Sequence, residues 1–395
     1  MNSSDPIVIV SCARTPMGGM QGDFATVTAS ELGGVAIKAA LERGGVSADD
    51  VDEVIMGNVL PAGQGQAPAR QAAWKAGIPR SAGATTINKM CGSGMKAVMF
   101  AHDILRAGST DVMVVGGMES MTNAPFLLPN MRSGQRYGHT EVYDHMALDG
   151  LEDAYEKGRS MGTFAEATVD KYGFTREEQD DYAITSLTRA QNAASAGHFD
   201  TEIAPVSFTA RKGDVTIFAD EQPPKAKPEK IPTLRPAFRK DGTVTAAHSA
   251  SISDGAAAMV MMRQSEAEKR GLKPMAKIMG HATHAQEPCW FTTAPIDSIK
   301  KVLAKTGWSK DDVDLWEINE AFAVVAMAAM RDLDLDHGKV NIHGGACALG
   351  HPIGATGARL LVTLIHALKT HGGTRGVASL CIGGGEATAV AIELL

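Results

Sequence analysis

Strand-like and helical stretches alternate along this 395-residue chain in two series that carry the same punctuation. In the first, 6–11 reads as a buried strand, 30–43 as an amphipathic helix, 51–56 as a strand, 66–76 as a helix, 85–87 as a strand, 91–106 as a helix and 111–115 as a strand. The second runs strand 275–281, helix 296–305, strand 313–318, helix 320–333, strand 339–342, helix 354–369, strand 377–382 and a closing strand 388–393. At the same point in each series stand Gly45-Val-Ser-Ala-Asp-Asp-Val-Asp52 and Gly307-Trp-Ser-Lys-Asp-Asp-Val-Asp314. Val115-Gly-Gly117 is likewise echoed by Ile382-Gly-Gly384. The pattern predicts an α/β protein with mainly parallel sheets covered by helices, built by duplication. If a pseudo-twofold axis relates the halves, the helices opening near Cys91 and near His351 are counterparts whose N-termini meet in one cleft.

Between the two series the composition shifts toward Pro, Gly and charge, as in Pro129-Asn-Met-Arg-Ser-Gly-Gln-Arg136 and Gln222-Pro-Pro-Lys-Ala-Lys-Pro-Glu-Lys230, around a helical stretch at 177–196. This reads as an inserted lobe. The apolar run 253–262 is expected to return to the first sheet. The predicted division is therefore 1–120 plus 250–270, an inserted loop domain at 121–249, and 271–395.

At 44% apolar residues the chain can bury a large core, and a net charge of −7 argues against general affinity for nucleic acid or anionic membrane. The start, Met1-Asn-Ser-Ser-Asp-Pro6, lacks a basic region followed by an apolar run, so a cytoplasmic location is expected. Five scattered cysteines, Cys12, Cys91, Cys289, Cys347 and Cys381, suggest neither a disulfide framework nor a metal site. The plain reading of each is a small buried hydrophobe.

Three segments ask for more than that. Cys91, in Asn88-Lys-Met-Cys-Gly-Ser-Gly94, sits on a tight strand-to-helix turn that pushes its side chain out, beside free backbone N–H groups. His351, in Gly344-Gly-Ala-Cys-Ala-Leu-Gly-His-Pro-Ile-Gly354, stands at a helix entrance where neutral imidazole can take a thiol proton; His281, His284 and His343 have no comparable setting. Cys381 closes a strand before Gly383-Gly-Gly385, where a second thiol could move a proton at a substrate carbon. The glycine run invites a nucleotide reading, but a strand follows it rather than a helix. Asn319, in Asn319-Glu-Ala-Phe-Ala323, is either a helix cap or a ligand-facing residue at the carboxyl end of a strand. A nucleophile, a base and glycine-rich backbone for an oxyanion together suit acyl transfer.

These four motifs, with Arg14-Thr-Pro near the start, resemble those of the thiolases, most closely the acetyl-CoA acetyltransferase branch. The resemblance implies duplicated βαβαβαββ halves in a five-layered α-β-α-β-α core with an inserted loop domain. It implies ping-pong chemistry on CoA thioesters, in which two acetyl-CoA give acetoacetyl-CoA and CoA, and thiolysis runs the reverse. Cys91 would carry the acyl group, His351 would activate it, and Cys381 would handle the proton of the acetyl methyl. The N–H groups of Cys91 and Gly383 would hold one oxyanion, and His351 with a water on Asn319 the other. Met161, Phe238, Ala246, Phe291, Ala321 and Phe322 match positions around the substrate, and Lys225 is a candidate phosphate partner. No metal or other cofactor is implied, since CoA is substrate. The region from Met118 to Phe126 and the Arg/Gly-rich stretch after it resemble the part that mediates assembly, implying at least a homodimer and more commonly a homotetramer.

The sequence departs from the synthetic members at Ser160, in place of a histidine, at His248 and Ala250, in place of asparagine and serine, and at Phe291, in place of a methionine. These departures bear on chain-length preference and CoA affinity. A 3-ketoacyl-CoA thiolase of broader chain length is the close alternative. A carrier-protein ketosynthase and a non-catalytic acyl-CoA or lipid-binding relative are the remote ones.

Overall fold

A computed structural model describes residues 5–211 and 213–395, so the first four residues, on which the reading of the chain start rests, lie outside it. The first half runs β1 (Ile7–Arg14), α1 (Ala29–Gly44), β2 (Glu53–Gly57), α2 (Pro68–Lys75), β3 (Gly83–Ile87), α3 (Ser93–Ala107) and β4 (Val112–Ser120). The central lobe supplies α4 (Met161–Tyr172) and α5 (Arg176–Ser195), and β5 (Ser253–Arg263) returns from it. The second half runs β6 (Ala276–Ala285), α6 (Ala294–Thr306), β7 (Leu315–Ile318), α7 (Ala323–Leu333), α8 (Ile353–His371), β8 (Arg375–Ile382) and β9 (Glu386–Leu394).

The repeated octapeptide folds the same way twice. Gly45 and Gly307 end α1 and α6 in the left-handed conformation, at φ 63° and 71°, which glycine adopts without penalty. A serine-led 3₁₀ turn follows each, at Ala48–Asp50 and Lys310–Asp312. The last aspartate of each copy then clips the start of a neighbouring strand. Asp52 Oδ2 accepts from the N–H groups of Asp111 (2.8 Å) and Val112 (2.9 Å), and Asp314 Oδ2 from those of Thr374 (2.7 Å) and Arg375 (2.9 Å).

Two half-sheets extend outward from a shared seam, in the order β1-β5-β4-β2-β3 and β6-β9-β8-β7. Corresponding strands pair in corresponding senses: β2 and β4 are parallel, as are β7 and β8, while β5 and β9 run antiparallel to both their neighbours. The seam between β1 and β6 is short, joining Val8 to Lys277 and Ile9 to Ala276. Helices α1 and α2 cover the outside of the first half, and α6 and α7 that of the second. Helices α3 and α8 lie between, giving the five layers α-β-α-β-α. Side chains alternate accordingly: Val8 and Val10 pack outward with α1, while Ile7 and Ile9 join Met95, Leu361 and Leu364 in the central layer.

Three expectations differ from the structure. The sheet is mixed rather than mainly parallel: β2 is parallel to β3 and β4, and β7 to β8, while every strand pairing of β1, β5, β6 and β9 is antiparallel. The strand at 339–342 is a single parallel bridge between Val340 and Trp316. Asn341 turns the chain at φ 49°, and its side chain makes the missing sheet bonds itself, accepting from Ile318 N–H and donating to Ile318 O, each at 2.8 Å. The helix expected from Glu320 begins at Ala323 with Phe322 extended before it, so Asn319 caps nothing. Among the described residues no helix is long and apolar enough to cross a membrane.

The central helices cross where glycines face each other. A Cβ on Gly94 would lie 2.9 Å from Ala358 N, and one on Gly357 2.7 Å from Met95 Cβ. Gly357→Ala should therefore destabilise the protein by about 1–3 kcal/mol through overpacking. Urea unfolding checks this against Gly83→Ala, where φ is not positive and the nearest atom to a Cβ would be Glu53 Cγ at 3.6 Å, an ordinary contact; an equal effect at both would mean that the crossing tolerates a methyl group.

Candidate active site

The turn between β3 and α3 is held by its own side chains. Asn88 Oδ1 accepts from Met90 N–H at 2.8 Å, and Ser93 Oγ accepts from Lys89 N–H at 2.8 Å while donating to Met90 O at 2.7 Å. Met90 is left-handed at φ 47°, an uncommon state for a side chain of its size. Lys89 reaches across to an ion pair with Glu386 beyond the glycine run. Cys91, half-buried, is thereby turned into a cavity of about 650 Å³.

His351 lines the same cavity. It follows the short helix Ala346–Leu349, and its backbone N–H donates to Ser251 O at 3.1 Å, where the lobe returns to the sheet. Its Nδ1 lies 2.6 Å from Thr356 Oγ1, which is 3.0 Å from Pro352 O. With the hydroxyl proton directed to that carbonyl, Nδ1 carries the imidazole proton and Nε2 presents its lone pair. Nε2 is buried without a protein hydrogen-bond partner. Burial, helped by Arg359, pushes this imidazole down to about 3, so it is neutral at physiological pH.

Cys381 ends β8 and is fully buried. Burial raises its thiol well above the usual value, and the neighbouring Cys91 adds to the shift. The Cys91 thiol is itself pushed up to about 11 by burial, against the pull of the Gly383 N–H on its sulfur. At neutral pH the site therefore rests as two thiols and a neutral imidazole. Gly383–Gly385 form the tip of the β8–β9 hairpin, with φ of 88° at Gly384 and 91° at Gly385, and Gly383 and Gly384 line the cavity with Cys91. Asn319 lies behind the cavity wall, fully buried, and neither atom of its side-chain amide has a protein partner. Together with His351 Nε2 these are buried polar groups that a substrate or water would satisfy.

Of the other sequence candidates, Met161, Phe238, Ala246, Phe291, Ala321 and Phe322 line the cavity. Phe291 meets Phe164 edge to face at 6.0 Å, and Phe238 meets Phe322 at 5.8 Å, giving the chamber stiff aromatic walls. Ser160 caps α4 and borders the cavity. Lys225 lies instead in an adjoining groove with Cys347, paired to Glu221 at 2.5 Å; the groove shares Ala246, Ser249 and Ser251 with the cavity. His248 is buried and bonded to Asp180 at 2.7 Å, away from the cavity wall.

Sequence reasoning missed the carboxylates that hold the site. Glu119, at the end of β4, accepts from Asn58 Nδ2 (2.6 Å) and from the N–H groups of Val59 (2.9 Å), Leu60 (3.1 Å) and Gly354 (2.8 Å), fastening the entrance of α8 to the first half. Burial raises this carboxyl to about 7. Glu320 accepts from Tyr182 Oη (2.8 Å), Ser186 Oγ (2.7 Å), Asn341 Nδ2 (2.9 Å) and Cys347 N–H (3.0 Å), which pins Asn319 and the loop leading to His351. A signal existed for Glu119: a glutamate within an otherwise apolar strand needs buried partners.

The comparisons with known proteins agree with this geometry. The profile described as "Thiolase, N-terminal domain" matches residues 7–265, and "Thiolase, C-terminal domain" matches residues 272–394. The chain is 48% identical over 389 residues to an acetyl-CoA acetyltransferase of Cupriavidus necator, covering 98% of this chain and 99% of that one. The crystal structure of a Bacillus anthracis acetyl-CoA acetyltransferase superposes with a TM-score of 0.97 at 42% identity, over 100% of both chains. A thiolase of Ascaris suum in complex with coenzyme A gives 0.93 at 42% identity, over 99% of this chain and 100% of that one. Paired halves meeting at a cysteine, a histidine and a second cysteine are thus accompanied by likeness along the whole length, and the chain belongs to the thiolase family.

Proposed function

We propose that this protein is an acetyl-CoA C-acetyltransferase that joins two acetyl-CoA into acetoacetyl-CoA and CoA, and cleaves acetoacetyl-CoA in reverse. The observation that carries the reading is that Cys91, Gly383 and His351 line one cavity, into which His351 presents an unpartnered Nε2. In the first half-reaction His351 Nε2 accepts the Cys91 proton as sulfur attacks the thioester carbonyl. The oxyanion lies against the N–H groups of Cys91 and Gly383, and CoA leaves with the proton of Cys381, giving acetyl-Cys91, a Cys381 thiolate and a protonated His351. In the second, the Cys381 thiolate removes a proton from the methyl of another acetyl-CoA. The enolate oxygen is held by His351 and a water on Asn319, the carbon attacks acetyl-Cys91, and the Cys91 sulfur departs and recovers its proton from His351. Two neutral thiols and a neutral imidazole fit this scheme, because each proton moves only as charge develops on a bound substrate.

Met161, Phe238, Ala246, Phe291, Ala321 and Phe322 would surround the pantetheine and acyl group, with Lys225 at the outer end near the CoA phosphates. The Phe291–Phe164 pair supports a short acyl group by narrowing the chamber. We read the chain as dividing at 121–249 and near residue 271, and as assembling into a homotetramer, or at least a homodimer. Assembly is supported by the exposed Phe126, Leu128, Met131 and Tyr137 on the arm that leaves β4, a patch a lone chain would leave in water. Five free cysteines fit a reducing compartment, which we take to be the cytoplasm.

Incubation with acetyl-CoA should acetylate Cys91, read as a mass shift on its peptide, and Cys91→Ser should abolish the shift. Cys381→Ser should still acetylate but lose condensation by about 10²–10⁴-fold, the span of general acid–base catalysis; a variant condensing at the wild-type rate would remove Cys381 from the scheme. Thiolysis of acetoacetyl-CoA should exceed that of 3-ketohexanoyl-CoA and longer homologues. The reverse order would make this a 3-ketoacyl-CoA thiolase of broader chain length, and absence of acylation by any thioester would remove the enzyme reading.

The pH dependence has a defined sign. With the Cys91 thiol near 11, the thiolate fraction in the free protein grows about tenfold per pH unit below that value. Iodoacetamide alkylation of Cys91 should therefore climb from pH 6 to about 9 without a plateau. A plateau near pH 7 would mean that His351 already holds the thiolate in the resting protein.

A further inference from the structure

Away from the cavity, three histidines from distant parts of the chain bring their ring nitrogens together. His198 follows α5, His343 lies on the loop before His351, and His371 ends α8. His343 Nε2 is 3.1 Å from His198 Nδ1 and 3.0 Å from His371 Nε2, and all three nitrogens lie within 4.8 Å of one another. We propose that His198 Nδ1, His343 Nε2 and His371 Nε2 form a binding site for a late first-row divalent cation such as Zn²⁺, with water or a small anion as fourth ligand.

Hydrogen bonding alone does not account for the cluster. A nitrogen of neutral imidazole carries either one proton or one lone pair, so His343 Nε2 can satisfy one of its two close neighbours. A cation accepts all three lone pairs. Two nitrogens on a tetrahedral zinc at about 2.0–2.1 Å stand about 3.4 Å apart, so the two close pairs need to open by only a few tenths of an ångström and the third pair to draw in. The rings already splay as ligands on one centre do, with His198 and His371 at 89° and His343 tilted between them. In the ligating tautomer the ring proton of His343 sits on Nδ1, which has no protein partner. Imidazole ligation without carboxylate suits zinc, copper or nickel better than magnesium or calcium.

The other such cluster among the described residues differs. His102 and His281 both face Asp103 Oδ1, at 2.9 Å and 3.0 Å, and that carboxylate accepts from both rings. It is satisfied without an ion. His343 is buried, His198 is half-exposed and His371 is exposed, so an ion can enter from solvent. Once bound, it ties the end of α5 and the end of α8 to the loop that carries His351.

The test is titration of the metal-free full-length protein with Zn²⁺ against a chromophoric chelator, together with the absorption spectrum of the Co²⁺ form. One Zn²⁺ per chain is expected. His371→Gln, at an exposed position, should weaken binding at least about tenfold, and His198→Gln should do the same, whereas His281→Gln and Cys91→Ser should bind as the wild type does. The Co²⁺ spectrum should show visible ligand-field bands with no thiolate charge transfer in the near ultraviolet. No binding at micromolar Zn²⁺, unchanged affinity in His371→Gln and His198→Gln, loss in His281→Gln alone, or a thiolate band would each overturn the proposal.

Discussion

Two buried helices touch at the centre of this protein because neither places a side chain between them. Gly94 on α3 faces the backbone of α8 at Gly354, Ala355 and Ala358, and Gly357 on α8 faces Met95. Gly117 on β4 presses against Gly354 from the sheet side. Removal of these Cβ atoms brings the helix entrances within reach of one substrate, and with them Cys91, just before α3, and His351, just before α8. The glycines weaken the helices that carry them by about 0.5–1 kcal/mol each. The offset is the central layer itself, where Met95, Val98, Leu361, Leu364 and Ile365 are buried among strands of both halves.

The site depends on buried carboxylates as much as on apolar packing. Glu119 draws the entrance of α8 to the loop after β2, and Glu320 draws Asn319 and the Gly345–Cys347 segment to α5. Arg359 on α8 pairs with Glu317 of β7 at 3.2 Å, both almost fully buried. Glu119 and Glu320 each spend their lone pairs on several donors, and such a node resists the small displacements that apolar packing allows. Meanwhile Cys91, His351 and Cys381 are all buried enough to rest uncharged. The result is a frame of hydrogen-bonded carboxyl groups around neutral reacting groups, an arrangement suited to charge that appears only in the transition state.

Much of this was legible in the chain. The duplicated octapeptide predicted equivalent halves, and Asp52 and Asp314 make equivalent bonds. The turn around Cys91 was readable from glycine spacing, and the apolar run 253–262 predicted its return to the first sheet, where β5 lies between β1 and β4. The strand at 339–342 was misjudged because Asn341 supplies through its side chain the bonds a strand would make through its backbone. Cavity walls were harder to read, since Leu148, Tyr155 and Ile252 line the chamber with no local pattern to mark them.

Local chemistry is what the sequence determined alone: helix ends at glycine, alternating strand faces, a cysteine on a tight turn and a histidine at a helix entrance. Those follow from backbone sterics and periodicity, which act over a few residues. Tertiary structure decided which of those groups meet. Lys225 stands in an adjoining groove and Asn319 behind the wall, Glu119 reaches the entrance of α8, and His198, His343 and His371 converge from three segments. Such meetings depend on how layers stack across many residues, and a one-dimensional pattern carries no term for the distance between groups on different layers.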